Sequence, residues 1–266
     1  MAVEISFPVR YVEVDAQRVV YYAHYLAWYE LGQEALLAAL GRPPEEAHPP
    51  VLEATCRYRA PVRYGETVTV RSRPLEEEQG HLWIAHTVLV GPEVRAEGAT
   101  LLGGAGDLAA GSPATGSIER LPAAAALPLR GRVGEFPLRV RYAETDSSGG
   151  AHFSRYLVWF EVGRIAYLHH IGLHYAEMET ESSPFVIAWA GCRYLSPVHF
   201  DEALSIRVWP LEVRQRSFAL GYHIVHQDGR PVALGRTVQT FIGPTGRPAP
   251  IPERARGLLL AALDED

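Results

Sequence analysis

The sequence predicts an α+β chain of two similar units in tandem, each an antiparallel sheet wrapped around one central buried helix. Two observations carry this. Residues 10–32 laid over 141–163, at a shift of 146 − 15 = 131, share 9 identities in 23, among them Asp15/Asp146, Trp28/Trp159 and Glu30/Glu161. Residues 56–79 and 192–215, at a shift of 192 − 56 = 136, share 11 in 24, including Pro61/Pro197 and Pro74/Pro210. Self-similarity over so long a period marks a duplicated structural unit.

Each unit repeats one order of elements. Residues 4–14 alternate well enough for a strand, with Pro8 pointing to an edge or a bulge. A turn at 15–20 leads into a helix over 22–40, stopped by Gly41 and the following prolines. Tyr25, Leu26, Trp28, Tyr29, Leu31, Leu36 and Leu37 place apolar groups around most of that helix, the mark of a buried one. Strand-like runs follow at 51–60, 66–76, 81–90 and 94–102. In the second unit the strand is expected over 136–145, the helix over 153–171, and the later strands over 184–195, 202–213, 216–227 and 231–242, with a short terminal helix after Pro252. The growth of the shift by 136 − 131 = 5 residues places an enlarged loop after the second helix. Residues 103–117 are rich in Gly, Ala and Ser, so the units are expected at 1–102 and 135–266, joined by a linker at 103–134.

At 47% hydrophobic and 21% charged residues, the chain has enough apolar material for two cores. A net charge of −6 argues against a nucleic-acid partner, because phosphate binding needs a basic surface. No apolar run is long enough to suggest a membrane span, and the first residues have neither a basic head nor a hydrophobic run, so a cytoplasmic location is expected. The sequence contains no lysine, which removes Schiff-base chemistry and the phosphate-loop lysine. Cys56 and Cys192 occupy matching places and read as two buried strand residues, not a disulfide or a metal site. His169, His170 and His174 surround Gly172 at a helix end and do not make a convincing metal set, so no metal is expected.

The run Glu144-Thr145-Asp146, a turn containing Gly149 and Gly150, then His152-Phe153-Ser154 and Tyr156-Leu157 opening an aromatic helix resembles the hotdog-fold thioesterases. Within them it is most similar to the 4-hydroxybenzoyl-CoA thioesterase-like group. The resemblance implies two hotdog units whose sheets join with the active sites between them, and a homodimer of such double-hotdog chains. It implies no metal or organic cofactor and an acyl-CoA thioester as substrate. It also implies that the Asp just before the central helix is nucleophile or general base, which gives Asp146 in the second copy and Asp15 in the first. His152 takes a direct or orienting role, and Glu161, matched by Glu30, lies on the helix where some hotdog thioesterases place a working Glu. A thioesterase acting on acyl-carrier protein and a non-catalytic acyl-binding double hotdog are the alternatives. The dehydratase branch fits less well, because its Asp-x-Asn-Pro-x-His pattern is missing.

The chemistry suits these residue types. Thioester hydrolysis needs an activated attacker and a stabiliser for the oxyanion, while the thiolate leaves readily. An ionised carboxylate can attack or deprotonate water. The N-terminus of a buried helix presents free N–H groups and a positive dipole end. Gly149 and Gly150 let backbone approach a substrate. In the first copy Arg18 and Val19 replace those glycines and Tyr21 stands opposite His152, so a single competent site around Asp146 is expected.

Overall fold

The computed structural model describes residues 1–42, 48–78, 80–104, 119–122, 127–174 and 185–265. Most of the expected linker and the enlarged loop after the second helix lie outside these residues. The chain divides into two compact units, Met1–Arg120 and Leu121–Asp266.

In the first unit β1 (Val3–Pro8) precedes α1 (His24–Ala39), and β2 (Val51–Tyr58), β3 (Thr67–Glu78), β4 (His81–Val90) and β5 (Glu93–Leu102) follow. Their order across the sheet is β1-β3-β4-β5-β2, antiparallel throughout. The second unit repeats this with β6 (Gly134–Arg139), α2 (Arg155–His170), β7 (Phe185–Tyr194), β8 (Ala203–Val213), β9 (Ser217–His226) and β10 (Pro231–Ile242), in the order β7-β10-β9-β8-β6. A two-residue β11 (Pro248–Ala249) pairs with β10, and the terminal helix α3 (Glu253–Leu263) closes the chain. The matched prolines Pro74 and Pro210 each sit where the ladder slips by a residue, a bulge that accommodates a residue with no N–H to give.

Two strands are shorter than their alternation suggests. β1 stops at Pro8 and β6 at Arg139, and each is followed by a 3-10 turn, Tyr11–Glu13 or Tyr142–Glu144. The cause is local: the Glu13 and Glu144 carboxylates fold back to accept the N–H of Arg10 and Arg141, both at 2.7 Å, which turns the chain out of the sheet.

Tyr25, Leu26, Trp28, Tyr29, Leu36 and Leu37 are the buried side of α1, with Tyr156, Leu157, Trp159, Phe160, Tyr167 and Leu168 on α2. A narrow strip stays in solvent at Leu31 and Val162. Leu36 and Leu37 pack on Leu82, Ile84 and Leu102 of the first sheet. In the second unit Leu121 and Leu127 cover Trp189, Trp209 and Leu234, so this part of the expected linker belongs to a core. Cys56 and Cys192 are both buried, and neither is in a disulfide.

Each helix is seated by one ring laid flat on the sheet. Tyr29 stacks on His86 with centroids 4.5 Å apart, and Phe160 stacks on Tyr222 at 4.4 Å. The strand beneath carries glycine at both places, because a Cβ on Gly98 or Gly235 would fall 2.9 Å or 2.1 Å from the seated ring. Around the rings runs a buried polar layer. In the first unit His86 bonds Ser72 Oγ at 2.8 Å and Thr100 Oγ1 at 3.0 Å, and Thr100 donates to Gln33 Oε1 at 3.1 Å. In the second, Tyr222 bonds Thr237 Oγ1 at 2.7 Å, Gln239 donates to the same oxygen, and Arg164 replaces Gln33 on the helix beside Tyr222.

Burial pushes the His86 imidazole down from 6.5 to about 3, so it is neutral in the folded unit. A depressed folded value means that the neutral ring's contribution is fully present above 6.5 and is lost as pH falls toward 3. The first unit is therefore expected to lose a few kcal/mol of stability across that acid window. Denaturant melts of wild type and His86→Gln at several pH values check this: the wild-type curve should fall more steeply, and parallel curves would refute it.

Candidate active site

In each copy the 3-10 turn delivers the chain to a tight loop bearing the motif aspartate. Burial alone would raise the Glu13 carboxyl, but hydrogen bonds from the Arg10 side chain and N–H and from the Trp28 indole at 3.0 Å outweigh it and hold Glu13 below its ordinary value. The Glu144–Arg141 pair repeats the anchor, with Arg141 Nε donating to Oε1 at 2.9 Å. These glutamates are the residues that sequence reasoning passed over. The signal was present, since an acid three residues after the start of a turn can satisfy the N–H groups there.

The loop itself has one geometry in both copies. Asp15 N–H donates to Val19 O and Arg18 N–H to Asp15 O, both at 2.9 Å; Asp146 N–H donates to Gly150 O at 2.9 Å and Gly149 N–H to Asp146 O at 3.0 Å. The fourth residue of each loop is left-handed, Gly149 at φ 82° and Arg18 at φ 61°. Gly149 thus meets the left-handed position at no steric cost, and nothing lies within 4 Å of the position a Cβ would take there. Gly150 pairs across a single bridge with His199, as Val19 does with Arg63.

Asp146 is exposed, and its Oδ1 accepts from Ser148 N–H at 2.8 Å and Ser148 Oγ at 2.6 Å. Asp15 Oδ1 accepts from Gln17 N–H at 2.9 Å. Among the described residues no hydrogen bond reaches the other oxygen of this exposed Asp146, which leaves Oδ2 uncommitted.

The strand then hands over to the helix. His152 N–H donates to Glu144 O at 2.9 Å, and Tyr194 Oη donates to Phe153 O at 3.0 Å, where Tyr58 and Tyr22 make the same bond in the first copy at 2.9 Å. Ser154 stands at the start of α2, but its hydroxyl bonds His152 Nδ1 at 2.7 Å instead of capping the helix. Ser154 N–H also donates to Nδ1, at 3.3 Å. A backbone N–H can only donate, so Nδ1 is the acceptor and the neutral ring carries its hydrogen on Nε2. Burial raises the Tyr156 phenol, and Cys192, Glu202 and Asp146 raise it further, which puts the Asp146 carboxylate near the buried first turn of α2.

Glu161 lies farther along the helix, six residues after Arg155 and so about 9 Å from its start. It is part-buried, with Arg164 Nη2 at 3.7 Å. The structure therefore gathers Asp146, Gly149, Gly150 and His152 at one end of α2 and sets Glu161 midway along it. His169 and His174 come together with rings 5.1 Å apart, and among the described residues no group of three or more His, Cys, Asp or Glu side chains could hold a metal ion. No helix among them is long and apolar enough to cross a membrane.

A helix laid on an antiparallel sheet with an acidic loop at its N-terminus, made twice in one chain, defines the double-hotdog class. Comparison with known proteins gives the family. Residues 140–261 match the thioesterase-like superfamily and residues 17–81 the thioesterase superfamily. The chain is 34% identical over 92 residues to "Putative acyl-CoA thioesterase YneP" of Bacillus subtilis, covering 35% of this chain and 67% of that one. It is 26% identical over 93 residues to acyl-CoA thioester hydrolase YbgC of Escherichia coli O157:H7, covering 35% and 69%. Among solved structures, one described as "oleoyl thioesterase (putative)" from Lactobacillus plantarum superposes with a TM-score of 0.72 at 14% identity, over 95% of this chain and 98% of that one. An acyl-ACP thioesterase from Bacteroides thetaiotaomicron gives 0.65 at 11% identity, over 90% and 97%; at such identities both likenesses show the fold alone. The chain belongs to the thioesterase superfamily, with two thioesterase domains in tandem, and is a thioester hydrolase.

The left-handed residue gives the two loops opposite expectations. Arg18→Gly should stabilise the first unit by up to about 1 kcal/mol by relieving the left-handed backbone, and Gly149→Ala should destabilise the second by about 1 kcal/mol. Equilibrium denaturation of the two variants measures both, and a destabilising Arg18→Gly would rule out the shared loop geometry.

Proposed function

We propose that the protein hydrolyses an acyl-CoA to the free acid and CoA at a site built on Asp146, with the carboxylate acting as nucleophile or general base. The observation that carries this is the loop geometry: one Asp146 oxygen is tied to Ser148 and the other is uncommitted, at the N-terminus of a helix whose position is locked. The names of the relatives YneP and YbgC support a CoA thioester as substrate.

The chemistry follows from the placement. A thioester carbonyl brought to Asp146 develops negative charge on its oxygen as the attacker bonds to carbon. The first N–H groups of α2 and the helix dipole stabilise that charge, and His152, held by Ser154 at the start of the helix, takes an orienting role. Gly149 and Gly150 leave the backbone open to the substrate, and Glu161 lines the route of the acyl group along the helix. The first copy holds Asp15 in the same loop but offers the Tyr21 phenol where the second has an imidazole, so the proposal assigns turnover to Asp146 and a supporting role to Asp15. It includes a cytoplasmic homodimer.

Thiol release from short, long and aromatic acyl-CoAs by wild type, Asp146→Asn and Asp15→Asn tests the reading. Turnover should fall about 10²–10⁴-fold in Asp146→Asn and stay within a few-fold in Asp15→Asn. Unaltered turnover in Asp146→Asn would remove the site assignment. Turnover confined to acyl-carrier-protein thioesters would replace the substrate.

A further inference from the structure

The loop that braces the Asp146 turn carries a second set of titratable groups. His199, bridged to Gly150, has Nδ1 at 3.1 Å from Glu202 Oε1. Glu202 Oε2 lies 3.6 Å from His226 Nδ1 at the end of β9. One carboxylate thus hydrogen-bonds an outer imidazole, 58% exposed, and stands beside a sheltered one, 13% exposed, without a hydrogen bond to it. The Glu202 and Asp146 carboxylates both raise the Tyr156 phenol at the start of α2.

An ionised carboxylate only accepts hydrogen bonds. A neutral His199 therefore presents Nδ1–H to Glu202 and has its lone pair on Nε2. This is the opposite tautomer to His152, whose Nδ1 accepts from Ser154. The Asp146 loop is flanked by one imidazole set to donate a hydrogen and one set to take one. The first copy has no such pair. Arg63, Glu66 and Val90 stand at the positions 136 residues before His199, Glu202 and His226. There Glu66 accepts from Arg63 N–H at 2.6 Å and lies 3.7 Å from Arg95. A guanidinium cannot serve as a base in water.

We propose that His199, oriented by Glu202, is the general base for the hydrolytic water, which makes Asp146 the nucleophile. The inference rests on the assignment of thioester hydrolysis to Asp146 and goes on to divide the chemistry. Asp146 Oδ2 adds to the thioester carbonyl carbon, the C–S bond breaks, and sulfur leaves as thiolate with the bonding pair. The product is a mixed anhydride on Asp146. Water then adds to the acyl carbon as His199 Nε2 takes one of its protons. The anhydride C–O bond breaks, its pair returns to the Asp146 carboxylate, and the acyl group leaves as the acid. The proton on His199 passes to the thiolate, so one thioester and one water give one acid and one thiol. Glu202 acts through His199 and is a positioning residue.

The titratable and charged groups around this pair are His226, the neutral Tyr156 phenol, the Asp146 carboxylate, the ion pair between Arg139 at the end of β6 and Asp201 on the same loop, and the Asp228–Arg230 pair, which acts on His226 and Glu202. A general base must be unprotonated to take a proton from water, so turnover by wild type should fall toward acid pH.

The test compares wild type, His199→Gln, Glu202→Gln and Asp146→Asn on the acyl-CoA that wild type turns over best, following thiol release from the first turnover and across pH. His199→Gln should release about one equivalent of thiol per site in a burst and then slow about 10²–10⁴-fold, with an acyl adduct on Asp146 visible by mass or trapped by hydroxylamine. Its acid limb should flatten, and Glu202→Gln should shift that limb with a smaller loss of turnover. His199 is largely in solvent, so its replacement leaves the core intact, and far-UV circular dichroism checks that. Turnover by His199→Gln within a few-fold of wild type overturns the inference, while a dead Asp146→Asn in the same experiment leaves the thioesterase site standing. Slow turnover with no burst and an unchanged pH profile also overturns it. A fully active Asp146→Asn, or a wild type inert toward every acyl-CoA, removes the underlying assignment and the inference with it.

Discussion

Everything at the functional end of each unit depends on where the central helix lies on its sheet, and one ring fixes that. Tyr29 over His86 and Phe160 over Tyr222 are flat stacks, with interplanar angles of 11° and 17°, and each needs a bare backbone below it. Gly98 and Gly235 provide that backbone at some cost in strand stability. The helix then cannot slide without lifting a buried aromatic ring off the sheet, and displacing that much apolar area costs a few kcal/mol. A site that must place a carboxylate and a helix N-terminus on opposite sides of one carbonyl needs that rigidity.

From the seated ring the constraint runs outward through hydrogen bonds. Tyr58 and Tyr194 reach from the sheet to the backbone just before each helix. Glu13 and Glu144, buried and clamped by arginine, hold the 3-10 turn on the other side of the loop. The aspartate loop is suspended between these two anchors and is itself closed by backbone bonds. Very little of this involves the aspartate side chain, so its outer oxygen stays uncommitted in a loop closed by backbone bonds.

Much of the fold was legible in the sequence. The duplication identified the units, and the α1, α2 and later strand boundaries fell within two residues of the periodicity. The first strand of each copy was read too long, because residues 9–14 keep a plausible alternation while a carboxylate three residues ahead turns the chain out of the sheet. The buried polar layer was not legible. His86 and Thr100 alternate in their strands like any inward residue, and only the structure shows that Gln33 and Arg164 lie on the apolar side of their helices. The loop residues Asp146, Gly149, Gly150 and His152 were legible as a cluster because they are contiguous. His199, Glu202 and His226 come from two separate segments of the chain, and nothing short of the fold brings them to Gly150.

The two copies share their scaffold and differ in what they place on it. Where a position only has to shape the chain, the copies substitute freely within one geometry: Arg18 adopts the left-handed turn that Gly149 adopts more easily, and Asp201 at φ 66° does in the second unit what Gly65 at φ 86° does in the first. Among the described residues each copy thus accepts one non-glycine in an unfavourable backbone conformation, on opposite loops of the same pair. Where a position could carry a proton, the difference is of another kind. The first copy sets arginine beside its conserved-geometry glutamate and the second sets histidine there, a permanent charge against one that can be gained and lost. A duplicated scaffold allows this, since one unit can keep its loops closed with fixed ion pairs while the other exchanges them for groups that titrate beside its carboxylate.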